Sequence, residues 1–284
     1  MIRHSSPTRR TTGYVLLVVF ALIFIGPFFL QLLTSFKTDP DATANPLSVV
    51  PHPFDLGAWQ RIFGLTPNSS VPILTWLGNS VLVAVFITVG RVFLDSLAGY
   101  ALARLDFPGR KVVFACVLGT LAVPGVVLLI PRFLVLKELF LFDTYAGMII
   151  PIAVDATGIF LMRQFFLRVP ASLEEAARLD GAGPFRIYWS VVLPLVRPGL
   201  ITLTILSFQG SWNEFSYFLV STSSPSHFTL TTGLAQLTSG SLGSGNQYPL
   251  FMGAALLTTI PVAILFFIFQ KRFTRGQLEG GVKG

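Results

Sequence analysis

Four ionisable side chains stand in stretches that are otherwise apolar: Arg91, Asp95, Asp155 and Glu214. Charge inside a long apolar run is costly, so such residues mark polar paths, proton relays or buried pairs. Arg91 and Asp95 are four apart, which on a helix places them on one face. The spacing predicts an intramembrane ion pair, or Arg91 snorkelling toward water, ahead of a solute contact. Glu214 sits beside Trp212 and Asn213, with Tyr217 one turn on. Carboxylates and amides bond hydroxyl groups, and aromatic rings stack on the apolar faces of a polyhydroxylated solute. Asp155, Trp212, Asn213, Glu214 and Tyr217 are therefore candidates for a translocation path. The same residues serve equally as interhelical hydrogen-bond partners, and both readings stand.

Other chemistry is sparse. His4, His52 and His227 fall in polar segments without Cys or carboxylate partners at ligand spacing, so they read as surface histidines and no metal site is expected. The single Cys116 lies in an apolar run, where core packing is its expected role; it has no partner for an internal disulfide. No G-x-x-x-x-G-K-[ST] occurs, so ATP is not expected to bind here through a P-loop. The Gly-rich SGSLGSG near residue 243 lacks the lysine and reads as a flexible loop. With no catalytic set, the chain does not read as an enzyme.

The elements that hold these residues are set by hydropathy. Of 284 residues, 52% are hydrophobic and 12% charged, and the mean hydropathy is +0.71. A soluble domain carries about 25% charged residues, so lipid is the solvent this composition suits. A helix needs about 20 apolar residues to cross a bilayer. Six segments qualify: Tyr14–Leu33, then 76–102, 112–136, 145–162, 200–220 and 250–269. The expected fold class is an all-α integral membrane protein with six transmembrane helices. The first segment is too long for a signal peptide and reads as an uncleaved anchor. With both termini cytoplasmic, fifteen of the 20 lysines and arginines fall inside and four outside, with Arg91 in a span; cytoplasmic loops favour that bias. This accounts for the net charge of +7 without a nucleic-acid surface, since the basic residues form no stripe with interleaved aromatics. Residues 1–13 and 271–284 are then cytoplasmic tails, and 14–270 a six-span domain. The outer segments 37–75 and 221–248 are rich in turn residues.

The inside loop 163–199 is long enough to have a task. Ser172 with Glu175 three residues later is a capping-box pattern that starts a helix after Pro170. Glu174 and Glu175 suit its first turn, and Ala176 and Ala177 leave a shallow surface. Gly181 suits a left-handed stop, and Pro184 the first position of a second helix that runs toward Pro194 and Pro198. Leu173, Ala176, Ala177 and Asp180 share one face, fit for docking in a partner's groove. An interfacial helix would instead want bulky apolar residues opposite Lys and Arg, a pattern this helix lacks.

The loop also carries Glu175-Ala176-Ala177, three residues, Gly181, nine residues, Val191, one residue, Leu193-Pro194. This resembles the E-A-A, G, I-x-L-P pattern of binding-protein-dependent ABC importer permeases, with Val for Ile as the one departure. The resemblance runs along the chain through Tyr100-Ala101-Leu102-Ala103-Arg104, Phe107-Pro108-Gly109-Arg110, Ile130-Pro131, Asp143-Thr144, Trp212-Asn213-Glu214-Phe215 and the terminal Gly280-Gly281-Val282-Lys283-Gly284. It is similar to the sugar-importer branch, and within it to the second permease of maltose-type systems. The resemblance implies a coupling helix that seats in a separate ATPase, carried by Leu173, Glu174, Glu175, Ala176, Ala177, Asp180, Gly181, Leu193 and Pro194. It implies two ATPase subunits that bind ATP and Mg, no cofactor in this chain, a second permease, an extracytoplasmic binding protein, a sugar substrate and a prokaryotic inner-membrane location. The competing class, an ion-coupled secondary transporter or channel, would need relay charges in several spans and leaves the loop unexplained.

Overall fold

The computed structural model describes residues 7–66, 71–238 and 247–280, with side chains at 11–66, 71–238 and 247–269. Arg3, His4, the SGSLGSG stretch and residues 281–284 lie outside the described residues, as do the side chains of Arg9, Arg10, Lys271, Arg272 and Arg275.

Among the described residues every regular element is a helix. α1 (Pro7–Thr34) is followed by the short α2 (Asp39–Ala44) and α3 (Gly57–Ile62), then by α4 (Ile73–Arg104) and α5 (Arg110–Leu121). A 3-10 turn leads into α6 (Leu129–Glu138); α7 (Tyr145–Ile149) runs into the 3-10 turn Ile150–Ile152 and then α8 (Ala156–Leu167). The loop 163–199 supplies α9 (Ala171–Leu179), α10 (Pro184–Arg186), a π-helical stretch Ile187–Val192 and α11 (Leu193–Leu195). α12 (Arg197–Trp212), α13 (Ser216–Ser221), α14 (Leu230–Thr238) and α15 (Tyr248–Gly280) complete the order.

Three of these helices are long and apolar enough to cross a membrane: Thr11–Thr34, Ile73–Arg104 and Tyr248–Phe269. Three bent pairs also qualify if each is one span, which gives up to six. The third segment, expected as one helix, is two helices bent by 99°. Pro124 causes this: it lacks an N–H and holds an extended backbone at φ −59°, ψ 129°. The fourth is bent by 43° between Ile152 and Ala156, just after Pro151. The third bent pair, Pro184–Leu195 with Arg197–Trp212, turns by 83° at Val196, ahead of the expected fifth segment 200–220, whose first helix closes at Trp212 rather than continuing to 220.

The described residues form two compact units. One comprises the chain up to Leu74 with Leu234–Pro261; the other comprises Thr75–Gly233 with the chain from Val262 on. In the first, α1 exposes Leu16, Leu17, Ile23 and Phe24, as a helix solvated by lipid does. Trp59 of α3 donates Nε1–H to Ser35 Oγ at 3.1 Å, and Lys37 Nζ is buried against the Asn45 carbonyl at 2.7 Å. Two cores lie among the described residues of the second unit. One gathers Val83, Ile87, Leu136, Met148, Ile152, Tyr217 and Phe218. The other gathers Tyr100, Met162, Phe166, Ile187, Tyr188 and Val192, and it supports the loop 163–199. Cys116, expected in a core, is exposed on α5, because that helix buries none of its residues.

Candidate functional site

α9 starts directly after Pro170, but not through the expected capping box. Pro170 is itself the N-cap, Ser172 is an exposed first-turn residue, and no side chain caps the helix. The proline ring supplies the extended backbone a cap requires (φ −59°, ψ 131°), which leaves Ser172 two positions too late to serve. The helix stop follows expectation. Gly181 is left-handed at φ +80°. Its N–H bonds the Arg178 carbonyl at 3.0 Å, and the Ala182 N–H reaches back to Ala177 at 2.9 Å, the paired bonds of a Schellman stop. Gly183 and Pro184 then open α10.

The loop has a fixed inner face and a free outer one. Glu174, expected among the docking residues, points inward with 3% of its surface exposed. Its Oε1 lies 3.1 Å from Arg104 Nε at the end of α4, and Oε2 lies 3.5 Å from the Tyr100 hydroxyl and 3.9 Å from Arg178. Arg104 also donates to the Phe166 carbonyl, at 3.1 Å from Nε and 2.6 Å from Nη2, and to the Val169 carbonyl. A cation at the carbonyl end of α8 is favourably placed, and one guanidinium thus binds α4, α8 and α9 together. Below it, the Tyr188 hydroxyl meets Ser96 Oγ at 2.8 Å, and the rings of Tyr100, Phe166 and Tyr188 pack with centroids 5.1 to 6.2 Å apart.

The outer face presents Leu173, Glu175, Ala176, Asp180, Gly181 and Pro194; Ala177 and Leu193 are half-buried. Two apolar residues that sequence reasoning passed over dominate it. Leu179 is 90% exposed and Phe185 64% exposed, on either side of the Gly181 turn. A signal existed for Leu179: five positions beyond Glu174 is about 140° around a helix, so one inward residue puts the other outward.

The polar candidates are divided among several tasks. The Arg91–Asp95 ion pair does not form. Arg91 Nε donates to the Ile152 carbonyl at 2.8 Å, and Asp95 Oδ1 accepts the Asp155 N–H at 3.0 Å, because the break in the fourth segment offers each a backbone partner. Asp155 caps α8, its Oδ2 accepting from the Gly158 N–H at 3.3 Å. Glu214 accepts the Tyr217 N–H at 2.9 Å and so starts α13. Trp212 is buried and stacks on Phe208. Tyr217 is buried, donates to the Gly147 carbonyl and lies under the Arg132 guanidinium. Asn213 is exposed, with Nδ2 on the Gln209 carbonyl at 3.0 Å. A cavity of about 320 Å³ is lined by Leu129, Ile130, Phe133, Phe142, Leu219, Val220 and Thr222, and includes none of these polar residues.

A further polar cluster joins residues 143–145 to 222–229. Asp143 accepts from the Ser223 and Ser224 N–H groups at 3.0 and 3.1 Å, from the Ser224 hydroxyl, and contacts His227 Nδ1 at 3.2 Å. Burial alone would raise the Asp143 carboxyl. The Ser224 hydroxyl, the two amides and His227 outweigh it and hold the group at about 2. His227, expected as a free surface residue, is half-buried with its ring edge-on to Tyr145. Asn79 of α4 donates to the carbonyls of Ser226 and Phe228.

Residues 95–278 match the family described as binding-protein-dependent transport system inner membrane component. The chain belongs to that family. It is thus an inner-membrane permease component, and the loop with Glu175, Gly181 and Pro194 falls inside the matched region. Among its relatives is the arabinooligosaccharides transport system permease protein AraQ of Halalkalibacterium halodurans, 34% identical over all of both chains. The sn-glycerol-3-phosphate transport system permease protein UgpE of Yersinia pestis is 33% identical over 94% of this chain and 95% of its own. A crystal structure of a bacterial ABC transporter involved in the import of the acidic polysaccharide alginate contains a chain with a TM-score of 0.77 at 28% identity, matched over 94% of this chain and 98% of that one.

Proposed function

We propose that this permease forms half of the pathway of an ATP-driven importer for a sugar or oligosaccharide, with both termini cytoplasmic, six spans within residues 14–270 and tails at 1–13 and 271–284. The observation that carries the reading is the loop 163–199. Its inner face is locked by Glu174 and Arg104 while Leu179 and Phe185 stand exposed at its tip. Apolar groups that cluster at the tip of a loop read as cytoplasmic, away from the lipid-facing spans, mark a surface that a partner covers. The partner is an ATPase subunit: two of them hold ATP and Mg, and α9 transmits their closure to the spans. Leu173, Glu175, Ala176, Ala177, Asp180 and Gly181 make the contact with Leu179 and Phe185, and Leu193 and Pro194 join the loop to α12. Glu174 serves by fixing the helix rather than by touching the ATPase.

A second permease chain and an extracytoplasmic binding protein complete the importer. Asp155, Asn213 and Glu214 are the path candidates with surface left to meet a solute, while the buried Trp212 and Tyr217 hold the helices that frame it. The sugar class is supported by the relatives whose names include arabinooligosaccharides and alginate. Alternating access follows when ATP binding favours one arrangement of the two permeases over the other. The test is purification of the chain with candidate ATPases and binding proteins, then vanadate-sensitive ATP hydrolysis with arabino-oligosaccharide and with sn-glycerol 3-phosphate as probes. Stimulation by the oligosaccharide with its binding protein is expected. An importer that moves solute with no ATPase bound would refute the reading.

A further inference from the structure

The break in the fourth span is held by two charged side chains of α4, one turn apart and opposite in sense. Arg91 donates to the carbonyl of Ile152, the last residue of the first half. Asp95 accepts from the N–H of Asp155, which leads into the second half. A cation at a carbonyl end has the sign that helix dipoles favour, and a carboxyl oxygen at an amide end accepts the N–H there. One continuous helix therefore grips both sides of a 43° break.

The fit is close. A Cβ on Gly158 would lie 2.1 Å from Asp95 Oδ2, and one on Gly90 would lie 3.2 Å from Ala153 Cβ, in the break itself. Asp95 is fully buried, and its Oδ2 has no hydrogen-bond partner. An idle buried carboxylate oxygen is costly. Beside it lies the first turn of α8, where helices leave amides without intrahelical partners. A short slide of α8 along α4 would give Asp95 a second seat on one of those amides.

We propose that Arg91 and Asp95 are positioning residues for transport, a clamp that holds the fourth span's break at its present angle in one access state and lets it reset in the other. α4 ends at Arg104, which holds Glu174 of α9, so displacement of α9 reaches the clamp along a single 32-residue helix. This rests on the reading of α9 as the ATPase docking element.

The experiment uses the permease–ATPase complex in nanodiscs, with Mg-ATP and vanadate as probes. Hydrogen exchange at the Asp155 amide should differ about tenfold between the resting and vanadate-trapped complexes, the size of a typical allosteric coupling. Equal exchange in the two states would overturn the clamp, and this arm needs no substitution. Asp95→Ala should raise hydrolysis in the absence of solute about tenfold, while Asp95→Asn, which keeps an acceptor oxygen, stays within about twofold of the unsubstituted complex. A merely structural Asp95 would lower the yield of complex and leave the rate per complex unchanged, which overturns the clamp. If the unsubstituted complex shows no vanadate-sensitive hydrolysis, the docking reading falls and the clamp's role with it. That failure is recognisable because it precedes any substitution.

Discussion

Removing Arg104 should unfasten α9 from the rest of the permease. Glu174 has 3% of its surface exposed and finds its countercharge at 3.1 Å, while the Arg104 side chain is 13% exposed. The contact is coulombic, since the Arg104 Nε hydrogen is directed at the Phe166 carbonyl. Taking one partner from a buried pair leaves a charge uncompensated, at a cost of about 3–5 kcal/mol. Arg104→Ala also frees the carbonyls of Phe166 and Val169, so it should exceed Glu174→Gln, which keeps the shape of the side chain and loses only the charge. About 3 kcal/mol of lost local stability corresponds to roughly a hundredfold faster opening of α9. Hydrogen exchange of residues 171–179 in purified protein reads this directly. The double variant Glu174→Gln with Arg104→Gln should cost less than the sum of the two single ones, because the partners interact. Unchanged exchange of α9 in Arg104→Ala, or strict additivity in the double variant, would refute this account of the anchor.

Leu179→Asp should leave thermal stability within about 0.5 kcal/mol, as exposed substitutions do, yet abolish co-purification with the ATPase. Gly181→Val forces a branched residue to φ +80° and should cost about 1–2 kcal/mol in a melt, with weaker ATPase capture. Gly233→Ala would put a methyl 2.1 Å from the ring of the fully buried Trp76, and should destabilise the protein by about 1–3 kcal/mol in a thermal melt. The Asp143 carboxyl is held at about 2 against an ordinary 3.8, so its support of residues 223–227 is complete above about pH 4 and is lost as pH falls through about 2. Protection of the Ser223 and Ser224 amides, taken relative to the intrinsic exchange rate at each pH, should fall over that window and hold between pH 5 and 8.

The parts legible in the sequence were those fixed by local chemistry. Gly181 needed a left-handed turn and Pro184 a first helical position, and both residues have them. Apolar length located the helices, but it did not show that Pro124 turns the third segment by 99° and Pro151 precedes a 43° break in the fourth, since hydropathy carries no direction. The i,i+4 spacing of Arg91 and Asp95 suggests a pair, since spacing along one helix is the only geometry a sequence carries. Their real partners, Ile152 and Asp155, are some sixty positions away in the chain. Glu174 was placed outward by the docking pattern, and nothing local revealed that Arg104 waits beneath it. The Asp143 cluster went unread for the same reason, its partners lying some eighty residues on.

The π stretch at 187–192 holds two neighbours, Ile187 and Tyr188, in the same core, where an α-helix would send successive residues about 100° apart. One surplus residue is wound into that turn. Deleting it would restore ordinary winding below Leu193 and turn the upstream residues by about 100° relative to α12, against the Arg104–Glu174 anchor that holds α9 on α4 and α8. The aim of the tip therefore depends on residue number in the stretch beneath it, and a single-codon loss there would strain an anchor whose own residues are unchanged.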